Sequence, residues 1–456
     1  MNRKSRLYKV YVLLRDQVKS PEDLAITEEN AASSTVLFSL LDFVLNANTL
    51  ILGEYGTGKT TLAQIACCLL AGVPWDVVQQ SQLRASPETS EATIVGRPHL
   101  GALNKGEEKV VWAIFPKSPA HIIDELPRMP EVRQALLLEG VRTGRWTYLG
   151  QMLETKPTPI YATANWEELG GSFDITPALR DRFAIAVETF YPGANVLAGI
   201  AENPRIEEFV EEAGLNYRAE DAAQILLAPE FDAGALDQLQ QDFKDHLRNN
   251  GIPTLTDDEI SDIKAEIKGI PFSETADLFY KVLISSLNFC PRKGMKRSAR
   301  FGEGHTLSSC PADCRFANSA CGRILSGGSR RKERDIRLLA KAVAWFAGAK
   351  EVETAHVKAV TPFALWHRST FSEPFLSSIK PLNRRLPLQL EAAKRFVDEL
   401  EAEFRLRRDL FLEAIASVRE NPEAAASGVI ALGGRSLTEK QLQHPFLVEI
   451  TRFPEK

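Results

Sequence analysis

The chain has 456 residues, 44% of them hydrophobic and 25% charged, a globular composition that excludes a disordered or fibrous protein. Its 55 Lys and Arg against 60 Asp and Glu give a net charge of −5, which excludes a surface coated in basic charge for nucleic acid but leaves a local patch open. No apolar run approaches the ~18 residues of a membrane helix. The N-terminus, MNRKSRLYKVYVLLRDQ, lacks the apolar core of a secretory signal, so no membrane span and a cytoplasmic location are expected.

At ~150 residues per domain the length predicts two to four domains. Residues 1–48 read as helical, with an apolar face from Val36 to Leu45. Thr49 to Leu52 is a short apolar strand, followed by a glycine-rich turn and a helix from Thr60 to Ala71 that Gly72 and Pro74 end. Strand-like segments recur at Val110–Phe115, His121–Ile123, Pro159–Thr163 and Ala184–Val187, with helical stretches between them. That alternation predicts a parallel sheet wrapped on both faces. After Pro192 the strand signals fade into amphipathic helices over residues 202–248 and 256–289, a helical pair over 330–369 with Gly348 as a stop, and long helices over 387–419. The expected organisation is an α/β nucleotide-binding core over 1–192, a helical connector over 193–255, an α-helical lid over 256–369 and a C-terminal helical extension over 370–456.

Four ordered motifs carry chemistry. Gly53-Glu54-Tyr55-Gly56-Thr57-Gly58-Lys59-Thr60 fits the phosphate-loop pattern, after a strand and opening a helix that continues with Thr61. Its glycines let successive N–H groups turn toward a polyphosphate, and the helix N-terminus adds its dipole. Lys59 is then placed for the terminal phosphates and Thr60 for Mg²⁺. His121-Ile-Ile-Asp124-Glu125 is an apolar strand ending in two carboxylates, one to hold the Mg²⁺ water shell and one to polarise attacking water. Tyr161-Ala-Thr-Ala-Asn165 delivers an amide at a strand tip, suited to the γ-phosphate and the lytic water. Leu179-Arg180-Asp-Arg182-Phe183 offers guanidinium groups, which stay protonated and bidentate toward phosphate.

The ordered set GEYGTGKT, HIIDE, YATAN and ALRDRF resembles the MoxR family of AAA+ ATPases, itself similar to the magnesium-chelatase ATPase subunit. The resemblance extends to an insertion over Ser90–Phe115 and to a β-hairpin between Glu139 and Thr158. It covers roughly residues 20–192 and 256–369. It implies an α/β AAA+ P-loop core with a parallel sheet, followed by an all-α lid. It also implies ATP as the nucleotide, Asn165 as sensor 1, and Arg182 as an arginine finger on a neighbouring subunit's nucleotide, with Arg180 a second candidate. A ring follows from that finger, usually of six subunits. Arg331 would be sensor 2, with Arg330 and Arg334 in competition. The client implied is a protein, in this family one with a von Willebrand A domain. Pro127 and Trp166 depart from the family pattern beside Glu125 and Asn165, yet neither removes a group needed for hydrolysis.

Cys290, Cys310, Cys314 and Cys321 fall in an insertion at 289–325 within the lid, and four thiols this close can close a tetrahedral site for zinc or hold an iron–sulfur cluster. Cys67 and Cys68 instead sit in an apolar helical pattern and are expected to be buried. From Cys290 to Arg334, eleven basic residues face three acidic ones, a local balance of +8. That patch supports a rival reading, a nucleic-acid-dependent AAA+ motor or effector contacting DNA or RNA there. A second rival is a nucleotide-gated scaffold that hydrolyses little.

Overall fold

The computed structural model describes residues 3–26, 30–165, 174–189, 193, 206–296, 314–325, 329–379 and 388–453. Two compact units divide the chain, Met1–Gly269 and Ile270–Lys456.

The first unit is built on five parallel strands: β1 (Asn48–Gly53), β2 (Leu83–Arg84), β3 (His121–Asp124), β4 (Ile160–Asn165) and β5 (Phe183–Thr189). Their spatial order is β5-β1-β4-β3-β2. The near-continuous apolar runs of β1, β4 and β5 are what a parallel sheet covered on both faces requires. Helix α1 (Ser34–Leu45), all of it buried, packs on β5 and β1. Ser33 caps its start, Oγ accepting the Val36 N–H, and Asn46 ends it in the left-handed region at φ 57°. Two buried hydrogen bonds tie this layer to the sheet: Thr49 Oγ1 donates to Asp42 Oδ2 at 2.8 Å, and Tyr161 Oη donates to Ser39 O at 2.8 Å. Helix α2 (Lys59–Ala66) follows β1 and continues as a π-turn over Cys67–Ala71, stopped by Gly72 at φ 71°. Cys67 and Cys68 are buried there as expected, and burial pushes both thiols up.

Two ornaments interrupt this core. Gly96–Pro98 pairs antiparallel with Val110–Trp112, and Arg145–Tyr148 pairs with Gln151–Glu154 through a turn at Leu149 and Gly150. The expected strand to Phe115 stops at Trp112, opposite Gly96 where its partner strand begins, and Ile114–Lys117 is a helical turn instead.

The second unit contains α3 (Glu274–Asn288), α4 (Arg330–Ala347), α5 (Thr354–Leu365), α6 (Leu388–Glu420) and α7 (Pro445–Arg452). Ser329 caps α4 and Gly348 ends it at φ 83°; α5 packs on both α4 and α6. The C-terminal region is not purely helical. Val429–Leu432 and Arg435–Thr438 form a hairpin around Gly433-Gly434, both at positive φ, the turn chemistry that favours tight hairpins. No single helix among the described residues is long and apolar enough to cross a membrane.

Within this unit Arg368 and Asp335 form a buried ion pair at 2.9 Å, with side chains 2% and 7% exposed. Removing one partner of such a pair strands the other charge in low dielectric. We expect Asp335→Ala to destabilise this unit by about 3–5 kcal/mol, and Asp335→Asn to cost clearly less because it keeps an acceptor. Chemical denaturation of the three proteins checks both statements, and equal stabilities would contradict them.

Candidate active site

Strand register gathers the candidate residues. Asn165 pairs with Gly53, Thr189 pairs with Gly53 on its other side, and Arg84 pairs with Asp124. The carboxyl ends of all five strands therefore form one edge, the place where open α/β sheets bind ligands.

The loop from Gly53 to Gly58 leaves β1 and caps α2. Gly53 has φ 154°, and a Cβ there would lie 2.1 Å from Thr189 Oγ1 and 2.8 Å from Thr189 O. Gly58 is the left-handed N-cap at φ 78°. The N-cap glycine supplies no side-chain cap, and the N-terminus of α2 faces the loop, the geometry that suits an anion. Lys59 is 7% exposed, and its Nζ donates to Gly53 O at 3.0 Å and Glu54 O at 2.6 Å. The ammonium thus sits in the loop it would share with phosphates. Thr57 Oγ1 donates to Glu54 O and lies 2.6 Å from Thr189 Oγ1, tying the loop to β5. Glu54, Tyr55 and Gly56 are exposed; Thr57, Gly58, Thr60 and Thr61 are half-buried.

Across from the loop, Thr60 Oγ1 donates to Asp124 Oδ1 at 2.8 Å. A hydroxyl and a carboxylate at this separation form the hard oxygen set that suits Mg²⁺. Thr163 Oγ1 donates to the same Asp124 oxygen at 2.6 Å, so among the described residues both hydrogen bonds fall on Oδ1. Glu125 adopts φ 57°, ψ 45°, a left-handed conformation that costs a non-glycine residue about 1–2 kcal/mol. Its carboxylate takes Asn165 Nδ2 at 3.4 Å on Oε1 and Arg128 Nη1 at 3.0 Å on Oε2. The amide predicted to position water therefore touches the carboxylate predicted to activate it.

Arg180 ends a short helix, Pro177–Arg180, capped by Thr176, and Arg182 follows it. Arg180 Nη2 donates to Ile175 O at 3.0 Å, and the Arg182 carbonyl accepts Asn48 Nδ2 at 3.1 Å. Arg330, Arg331 and Arg334 lie in the first turns of α4, in the second unit. Trp166, which follows Asn165, falls outside the described residues.

The cysteine expectation finds no support among the described residues. Among the described residues no group of three or more His, Cys, Asp or Glu side chains could hold a metal ion. Cys290, Cys314 and Cys321 form no disulfide among the described residues, and Cys321 Sγ is turned to Phe316 O at 3.7 Å. Cys310 falls outside the described residues. Neither zinc nor an iron–sulfur cluster has support from the three thiols described. Part of the basic patch is spent internally as well: Arg323 pairs with Glu399, Arg315 donates to the Glu439 and Lys440 carbonyls, and Lys332 is buried against Ser369. The nucleic-acid reading loses ground accordingly.

Two side chains at the site escaped sequence reasoning. Thr163 shares the strand face of Asn165, two residues away, and that alternation was a usable signal. Thr189 had none, because its contacts depend on strand register; Arg128, which the motif after Glu125 leaves available beside Pro127, reaches the Glu125 carboxylate.

Residues 48–183 match the model of the AAA domain, dynein-related subfamily, and residues 329–386 match that of the AAA lid domain. The crystal structure of a "putative ATPase" from Cytophaga hutchinsonii superposes with a TM-score of 0.54 at 15% identity, covering 87% of this chain and 94% of that one. At that identity the likeness is one of fold. No curated protein matches the chain in sequence.

Proposed function

We propose that the chain binds Mg²⁺–ATP and hydrolyses it within a ring of its own copies, a reading supported by the match of residues 48–183 to the AAA domain and of residues 329–386 to the AAA lid domain. The single observation that carries this reading is the hydrogen-bonded chain at the strand ends. It runs from Thr60 through Asp124 to Thr163, with Glu125 and Asn165 in contact beside it.

The loop N–H groups and Lys59 hold the phosphates, and Thr60 with Asp124 holds the metal. Bound Mg²⁺ neutralises charge on the phosphate oxygens. Glu125 takes the proton of the attacking water, and Asn165 orients it against the γ-phosphate. Arg182 reaches the nucleotide of the adjacent subunit, while Arg331 senses phosphate within its own chain, with Arg330 or Arg334 as substitutes. The work done is MoxR-like remodelling of a protein client, of which a von Willebrand A domain protein is the class implied by resemblance, in a ring of six. The exposed Leu149 and Met152 of the hairpin are consistent with a surface that meets a client.

Mixing variants tests the shared site. Arg182→Ala and Glu125→Gln are each expected to be inactive alone. In a ring with head-to-tail interfaces, an equal mixture should regain roughly a quarter of the wild-type rate, since one interface in four joins an intact Glu125 to an intact Arg182. No recovery on mixing, with Arg182→Ala active alone, would contradict the assignment.

A further inference from the structure

We propose that Thr163 is a positioning residue that links the metal-side carboxylate of Asp124 to the placement of Glu125. The inference rests on the ATP-hydrolysis reading and deepens it. Thr163 is 1% exposed, inside the sheet between the two residues it serves. Ala162 pairs with Ile123 in the β4–β3 register, so the next residue on each strand is Thr163 and Asp124.

The direction of each hydrogen bond is fixed by chemistry. An ionised carboxylate only accepts, so the Thr163 proton points to Asp124 Oδ1 at 2.6 Å. A backbone N–H only donates, so Glu125 N gives its proton to Thr163 Oγ1 at 3.0 Å. One hydroxyl thereby joins the side chain of Asp124 to the backbone of Glu125. That backbone is left-handed, a state a non-glycine residue keeps only when its surroundings hold it. Asp124 Oδ1 also receives Thr60, the hydroxyl assigned to the metal. Thr60 and Asp124, which would hold the metal, thus share a carboxylate with Thr163, and Thr163 in turn holds the backbone of Glu125. A threonine serving packing alone would need its methyl but not its hydroxyl.

The test uses the full chain as Thr163→Val and Thr163→Ser, with steady-state ATP hydrolysis, magnesium titration of the rate and equilibrium ATP binding. For Thr163→Val we expect kcat to fall about thirtyfold, which is about 2 kcal/mol. KM for ATP should stay within about twofold, and the magnesium needed for half-maximal rate should rise several-fold, because affinity resides mainly in the loop. Thr163→Ser should restore both kcat and the magnesium response. Should Thr163→Val fail to fold, Thr163→Ala carries the same expectations. Wild-type kcat and magnesium response in the hydroxyl-free variant would overturn the proposal, as would equal impairment of Thr163→Val and Thr163→Ser. A wild-type protein that binds but never hydrolyses ATP overturns the proposed function and this inference with it, whereas an active wild type with an equally active Thr163→Val overturns this inference alone.

Discussion

Glu125→Gln is expected to bind ATP with an affinity within about threefold of wild type and to release phosphate about a thousandfold more slowly, the span of a lost general base. The substitution is close to isosteric. A glutamine oxygen still accepts from Asn165 Nδ2 or from Arg128 Nη1, so the turn around residue 125 keeps its contacts. What is lost is the charge that polarises water. Phosphate release measured beside equilibrium nucleotide titration separates the two quantities. Turnover within tenfold of wild type would remove Glu125 from its assigned role and shift attention to another base.

Lys59→Ala is expected to do the reverse and abolish binding. Hydrogen bonds to a charged group contribute about 1.5–3 kcal/mol each, so losing the ammonium from the loop should weaken ATP by at least about a hundredfold. Its effect on the nucleotide-free protein should be small. Lys59 is buried against the carbonyls of Gly53 and Glu54, and removing a buried charge relieves a desolvation cost. Thermal unfolding distinguishes these effects: the unliganded midpoint stays close to wild type, while the rise produced by Mg²⁺–ATP disappears. A variant that is stabilised by ATP as much as wild type would contradict the placement of Lys59.

Much of the core was legible because its signals are local. Apolar runs marked four of the five strands, three of them with functional tips at Gly53, Asp124 and Asn165, and parallel pairing then set those tips side by side. β2 left no signal, being only Leu83–Arg84 and defined by pairing with β3. The hairpin at 429–438 was readable from Gly433-Gly434 between apolar residues, but the long charged helix before it dominated the pattern. The site shows the same division. Residue types that bind phosphate or water announced themselves by motif. Thr163 did not, since its importance lies in a 2.6 Å contact across two strands. The thiols show the converse: four cysteines close in sequence suggested a metal, and the three that are described gather into no metal-holding group among the described residues.

The central claim is that the loop from Gly53 to Thr60 cradles a triphosphate with magnesium. Direct titration of the wild-type chain with ATP, in Mg²⁺ and in chelator, tests it most directly. Saturable binding of one nucleotide per chain, tighter with Mg²⁺ and absent from Lys59→Ala, is the expected result; no saturable binding by the folded wild type up to millimolar ATP would contradict it.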